Sequence, residues 1–315
     1  MLTSGNTEPG PEIYPIGGGK GGVGKSFVAA SLGTLIAGQG KTVALIDLDL
    51  GGSNLHTFLG MPAPENGLNR FLDKTVRSLE SAAVATRITN LFFISSCNCS
   101  MEIANLFYAQ KIKLINAIRK LPYDVVLIDL GAGTHFNTLD FFLTASKGIF
   151  VCTPDPTAIE NAFRFIKAVY LRRLKQLVKR HDFNRRVKAA ILDTGANTLK
   201  SRDIIDIVLK NDPEKESFLK ARIGRFQFKM ILNQFRKNAD IRLGEKIKTV
   251  CNRHFYSPFD FLGQVDFDER VMDSIYARKL YVQTCPATPT VLELKQIADL
   301  LTHTQPAPSL RQPAR

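Results

Sequence analysis

Short runs of continuous apolar residues alternate along this chain with longer stretches whose apolar residues recur at helical spacing. EIYPIGG (12–18), KTVALID (41–47), NLFFISS (90–96), DVVLIDL (124–130) and GIFVCT (148–153) read as strands, and FKMILNQ (228–234) and FDFLGQV (259–265) follow later. Runs that are apolar at nearly every position belong to strands covered on both faces, as in a parallel sheet. SFVAASLGTLIAGQ (26–39), EIANLFYAQKIKLINAIRK (102–120), TLDFFLTA (138–145) and TAIENAFRFIKAVYLRRLKQLVKR (157–180) carry the helical period between them. Further helices are predicted near Ile241–Val250, Glu269–Ala277 and Thr290–Thr302. Repeated β–α alternation predicts a mostly parallel sheet with helices on both faces, a three-layer α/β/α sandwich.

One segment departs from this rhythm. Between Tyr170 and Phe226 the sequence is helical and basic without a clear strand, and it reads as a helical insertion at about 172–225. Residues 1–11 and the Pro-rich residues 304–315 lack an apolar period and predict disordered tails, leaving a single domain over 12–303. No internal repeat is visible.

Composition changes this picture little, but the charge distribution does. A hydrophobic content of 44% and a charged content of 23% in 315 residues belong to an ordinary globular chain with a sizeable core. No apolar run is long enough to span a bilayer, and the N-terminal residues lack the regions of a signal peptide, so a cytoplasmic location is expected. The formal net charge is +13, and residues 161–255 hold 24 Lys and Arg against 9 Asp and Glu, whereas the remainder holds 18 against 20. The whole excess therefore lies in one block. Such a block attracts polyanions, which makes nonspecific DNA or an anionic membrane surface the expected partner of residues 172–250 unless the charge is only a solvated helical face. Five cysteines at irregular spacing argue against a disulfide framework and fit a reducing compartment, and Cys97-Asn98-Cys99, with no C-x-x-C partner, reads better as small residues at a strand end than as a zinc or iron–sulfur site.

The chemistry enters with Gly19-Lys20-Gly21-Gly22-Val23-Gly24-Lys25-Ser26, which fits G-x-x-x-x-G-K-[ST] between a predicted strand and a predicted helix. In such a loop, the backbone N–H groups of Gly19, Gly21, Gly22, Val23, Gly24, Lys25, Ser26 and Phe27 wrap phosphates, and the helix N-terminus adds its partial positive charge. Lys25 is expected to bridge the β- and γ-phosphates of ATP, and Ser26 to hold Mg²⁺. The metal needs a further carboxylate at the end of a neighbouring strand, and Asp129, closing YDVVLID, is the candidate. Asp47 and Asp49 stand at alternate positions and share a face if the strand stays extended.

KGGVGKS, VALIDLDLGGSNL and VVLIDLGAG together resemble the deviant Walker A ATPases of the MinD/ParA group, on a P-loop NTPase fold. DLGAGTHFNTLDFF and TPDPTAIENAFRFIK resemble the flagellar-number regulators of that group, the FlhG/FleN branch. The resemblance covers roughly residues 13–170 and 226–303. It implies slow ATP hydrolysis coupled to homodimerisation in the ATP state. By the same resemblance Lys20 reaches the phosphates bound by a partner subunit, Asp49 positions the attacking water with Asn54, Asp47 lies near the Mg²⁺ shell, and Asn233 hydrogen-bonds adenine. A regulatory protein partner and a role in positioning or counting a cellular structure, at a membrane, pole or nucleoid, are also implied.

The chain departs from the family pattern in three places. Leu130-Gly131 stands where MinD proteins have Ser-Pro, Val265-Asp266-Phe267-Asp268 stands where Ile-Pro-x-Asp is usual, and no Gln-rich activator segment precedes the first strand. Two alternatives remain on these residues. A non-hydrolysing nucleotide-sensing scaffold would tolerate loss of Lys20, Lys25, Ser26, Asp49 or Asp129, and all five are present. Of enzymes with other chemistry, a tyrosine kinase would want a Tyr-rich tail, absent from the last thirty residues, and an iron–sulfur reductase would want better cysteine pairs than Cys97 and Cys99. The last helix, VLELKQIADLL, is expected to pack on its own sheet and not on a membrane.

Overall fold

The computed structural model describes residues 10–99, 108–177, 220–255 and 257–302. Eight strands form one sheet: β1 (Glu12–Gly17), β2 (Val43–Leu48), β3 (Val84–Ala85), β4 (Leu91–Ile94), β5 (Val125–Leu130), β6 (Lys147–Cys152), β7 (Gln227–Phe235) and β8 (Phe259–Asp266). Their order is β3-β4-β2-β5-β1-β6-β7-β8. Every pairing is parallel except that of the two-residue edge strand β3 with β4. The helices are α1 (Lys25–Gly38), α2 (Leu55–Phe58), α3 (Leu68–Leu72), α4 (Tyr108–Ile118), α5 (Phe136–Phe142), α6 (Pro156–Leu177), α7 (Leu243–His254), α8 (Arg270–Tyr276), α9 (Tyr281–Thr284) and α10 (Pro289–Thr302). This is the three-layer α/β/α sandwich with a mostly parallel sheet that the apolar pattern predicts.

Side chains alternate across a strand, so each strand feeds two cores. Ala44, Ile46, Val126, Ile128 and Phe150 pack on one face with Leu114 of α4, Phe141 of α5, Phe165 of α6 and Ile247 of α7. Val43, Leu45, Val125, Leu127 and Ile149 pack on the other with Val28 and Leu32 of α1 and Leu294 and Ile297 of α10. Each fully buried large side chain contributes roughly 1.5–3 kcal/mol, which is why the strands tolerate so few polar positions. The polar exceptions are informative, and Asp47 and Asp129 are the first of them. The last helix does pack on its own chain, burying Val291, Leu294, Ile297, Ala298 and Leu301.

The differences from expectation are local. The helix placed near Ile241–Val250 starts at Leu243, because Asp240 holds the turn before it: Arg242 N–H donates to its carboxylate at 2.9 Å and Leu243 N–H to its carbonyl at 2.8 Å. β3, α2, α3 and α9 are two to five residues long, too short to show a period. Residues 172–177, where the basic insertion was expected to begin, continue α6, and Leu174 is fully buried in the core. Most of that insertion, residues 1–9 of the first predicted tail, all of the second and the start of the helix predicted from Glu102 lie outside the described residues. Among the described residues no helix is long and apolar enough to cross a membrane.

Candidate active site

Parallel pairing brings the C-terminal ends of β2, β5 and β1 to one edge of the sheet. Asp129 stands beside Ile16 of β1 on one side and Asp47 of β2 on the other. Both aspartates continue the odd-numbered set 43, 45 and 125, 127 that faces α1, so they emerge under the loop joining β1 to α1. Crevices beyond the carboxyl ends of parallel strands are where such sheets take ligands.

That loop is glycine-rich for reasons visible in its contacts. Gly24 has φ +88°, and a Cβ there would lie 2.1 Å from Asn233 Nδ2, so only glycine permits this turn into α1. Gly19 lies against α6, where a Cβ would stand 2.0 Å from the Asn161 carbonyl oxygen. A Cβ on Gly21 or Gly22 would meet nothing within 4 Å, so that side of the loop is open for a bound group. Two consecutive side chains at the end of β7 hold the loop from behind. Asn233 Nδ2 donates to the Val23 carbonyl at 2.9 Å, and Gln234 Nε2 donates to the Gly22 carbonyl at 3.0 Å.

Under the loop lies a compact set of charges. Lys25 is buried, and burial lowers its pKa against the pull of the Asp129 and Asp49 carboxylates. Asp47 accepts three hydrogen bonds, from Asp49 N–H at 3.0 Å, Ser53 Oγ at 2.8 Å and Leu55 N–H at 3.1 Å. Its carboxylate thus folds the 49–55 loop, setting Asp49 just past β2 and Asn54 at the start of α2. Asp129 is different. It is 1% exposed and its Oδ1 has no hydrogen-bond partner. Burial, and then the neighbouring Asp47, push its pKa up to about 8, against the Ser26 hydroxyl and Lys25. A buried carboxylate with a free oxygen, beside a serine hydroxyl and under an open glycine loop, is a donor set that suits Mg²⁺ with a phosphate.

Lys25, Ser26 and Asp49 of this set line a cleft of about 420 Å³. Gly21, Gly22, Gly24, Lys25, Ser26, Phe27, Asp49, Asn54 and Asn233 all line it, so nine of the residues singled out from sequence come together. Asp47 and Asp129 lie buried at the ends of β2 and β5, and Gly19 and Val23 serve the loop's packing. Lys20 points elsewhere. Its Nζ donates to Thr157 Oγ1 at 3.0 Å and lies 3.7 Å from Asp155 Oδ1, at the N-terminus of α6. Asp155 caps that helix through Ala158 N–H at 2.9 Å, with Pro156 in the first turn, and hydrogen bonds from Thr153 and Thr157 hold its pKa below the carboxylate range.

The far wall of the cleft is apolar and includes Phe58, Phe267, Val271, Met272 and Ile275. Arg236 stacks its guanidinium 4.0 Å from the Phe267 ring centre. Here the departure Val265-Asp266 finds its account. A proline would offer no N–H, whereas the Asp266 N–H needs a partner and donates to Glu293 Oε2 of α10 at 2.7 Å. Asp268 accepts from Arg270 and from Tyr281 Oη at 2.6 Å, and these contacts, Arg270 first, lower its pKa to about 2. The loop is therefore held without the proline. Gln234, Glu293 and the Asp155–Thr157 pair escaped the sequence reading, because only tertiary contact gives them a task.

The profile of the CobQ/CobB/MinD/ParA nucleotide binding domain matches residues 15–280. The chain belongs to that family. A septum site-determining protein MinD described as putative, from Nephroselmis olivacea, is 31% identical over 159 residues, 50% of this chain and 57% of its own length. The antiactivator FleN of Pseudomonas aeruginosa is 27% identical over 158 residues, 50% of this chain and 55% of its own. The matched stretch thus spans little more than half of either relative. The septum site-determining protein MinD of Pyrococcus horikoshii, solved with Mg-ADP, superposes with a TM-score of 0.63 at 17% identity, covering 93% of this chain and 96% of that one. The described core thus carries the MinD/ParA fold, and the cleft described above lies in it at the motif loop. The Cys97–Cys99 pair stays outside this account: both are free and half-buried, and no cluster of three metal-binding side chains occurs among the described residues.

Proposed function

We propose that this chain is a slow, Mg²⁺-dependent ATPase whose ATP-bound form is a homodimer and whose ADP form is a monomer. The observation that carries this reading is the convergence of Lys25, Ser26, Asp49 and the orphaned Asp129 oxygen beneath one open glycine loop. Lys25 and the loop N–H groups hold the phosphates, Ser26 and Asp129 hold the metal, and Asn233 takes the adenine. Mg²⁺ neutralises phosphate charge when bound. Asp49 and Asn54, set by the Asp47 turn, orient the water that attacks the γ-phosphorus, giving ADP and phosphate. Positioning and charge stabilisation, not a strong base, carry such a reaction, which suits a timer.

Lys20 supplies the switch. Its present partners are a contact between side chains 46% and 44% exposed, of a kind worth about 0–1 kcal/mol. Exchanging that for a triphosphate on a second subunit is cheap, so dimerisation follows the nucleotide's charge. The cellular role assigned here is positioning or number control of a structure such as a flagellum, pole or cargo, with a regulatory protein stimulating hydrolysis. The basic stretch 172–250 is assigned to nonspecific DNA or an anionic membrane, peripheral to which the protein acts.

Size-exclusion with light scattering tests the switch. With MgATP the protein should run as a dimer and with MgADP as a monomer, and Lys20→Ala should erase the difference. A monomer under both conditions would overturn the reading.

A further inference from the structure

Gln234 follows Asn233 directly, and in a regular strand consecutive side chains point to opposite faces. Here both reach the same loop, 2.9 and 3.0 Å from the carbonyls of Val23 and Gly22. The strand achieves this by breaking its alternation. Gln234 has φ +55°, a left-handed conformation that a non-glycine residue rarely adopts, and the β7–β8 register slips between Leu232 and Phe235. Backbone strain of this kind persists where something else over-determines it, and it gathers at functional sites.

We propose that Gln234 is a positioning residue for phosphate binding: with Asn233 it clamps the outer carbonyls of the glycine loop so that the loop's N–H groups stay turned into the cradle. This rests on the ATPase reading above and deepens it. A peptide unit is planar, so fixing the carbonyl oxygens of Gly22 and Val23 also fixes the N–H groups of Val23 and Gly24 that point the opposite way. Gly21 and Gly22 have no neighbours within 4 Å of a Cβ position, so nothing packs against that side of the loop. Without the clamp, the loop must be ordered by the ligand, and that ordering is subtracted from affinity. The clamp comes from β7, more than two hundred residues from the loop, so it also ties the cradle to the strand that bears the predicted base contact.

The test is equilibrium binding of two probes, MgATP and magnesium tripolyphosphate, which lacks base and sugar. Gln234→Ala should weaken both by the same factor, about 3- to 10-fold for one lost and ordering hydrogen bond. Gln234→Gly removes the left-handed strain together with the amide. It should therefore melt within a few degrees of wild type yet show the same loss of affinity, which separates a clamp from a merely structural role. Wild-type affinity of both variants for tripolyphosphate would overturn the proposal, and weakening confined to MgATP would instead place Gln234 at the base. Failure of the wild-type protein to bind MgATP at all would overturn the ATPase reading itself, and this inference with it.

Discussion

Asp140 is a buried carboxylate held by two cations from different helices. It lies on α5 with its side chain 4% exposed, bidentate to Arg172 of α6 at 2.6 and 2.7 Å, paired with Lys111 of α4, and touched by Gln176 at 3.3 Å. Lys111 is itself only 8% exposed and Arg172 19%. Asp140→Asn keeps the shape and removes the charge, leaving both cations facing a neutral amide. Breaking one partner out of a buried cluster costs about 3–5 kcal/mol. Since a whole domain is stable by roughly 5–15 kcal/mol, the variant should lose a large share. Urea melts at pH 7 should show it. The two cations lower the Asp140 pKa despite burial, so its contribution is complete above the unfolded value and is lost as pH falls through the folded one. The gap between wild type and Asp140→Asn should therefore close below about pH 4, where the unfolded carboxyl titrates. Lys111→Met, Asp140→Leu and Arg172→Met together should recover much of the loss, because an apolar replacement strands nothing. A single Asp140→Asn cost under about 1 kcal/mol at pH 7 would refute the assignment of this cluster as the tie between α4, α5 and α6.

Two further outcomes follow from the cleft. Asp49→Ala should bind MgATP and accumulate as a dimer while turnover falls about 100-fold or more; unchanged phosphate release would remove Asp49 from the water-positioning role. Gly24→Ala forces a side chain into φ +88° and drives a Cβ to within 2.1 Å of Asn233 Nδ2. The left-handed cost of about 1–2 kcal/mol and the displaced buried hydrogen bond, about 1–3 kcal/mol, should together cut MgATP affinity at least tenfold. An affinity equal to wild type would show that the loop relaxes without cost.

What the sequence discloses about this molecule depends on how far apart the cooperating residues lie in the chain. VALID and VVLID were legible as parallel strands because burial on both faces demands apolar residues at every position, a local property. Lys25 and Ser26 were legible because their tasks are set by the loop they sit in. Asp129 needed one tertiary step, that its strand lie beside β1, and the pairing Ile16–Asp129 is that step. Asp47 needed another kind. The family resemblance places it near the Mg²⁺ shell, and its three accepted hydrogen bonds also give it the 49–55 loop to hold, a second task that no spacing rule announces. Asp140, Glu293 and Gln234 lie further still from any local signal. Asp140 is the one charged residue of its short helix until Lys111 and Arg172 are brought to it. Glu293 is an ordinary helical acid until a missing proline exposes an N–H. Gln234 is a strand-end amide until β7 bends it toward a loop at the other end of the chain. In each case the physical demand, an unpaired charge, an unpaired donor or an unrestrained loop, belongs to a residue far away in sequence, so the answering residue carries no mark of its own. The residues proposed to meet the nucleotide are therefore named by motif and family resemblance, while those that hold them in place are named only by the fold.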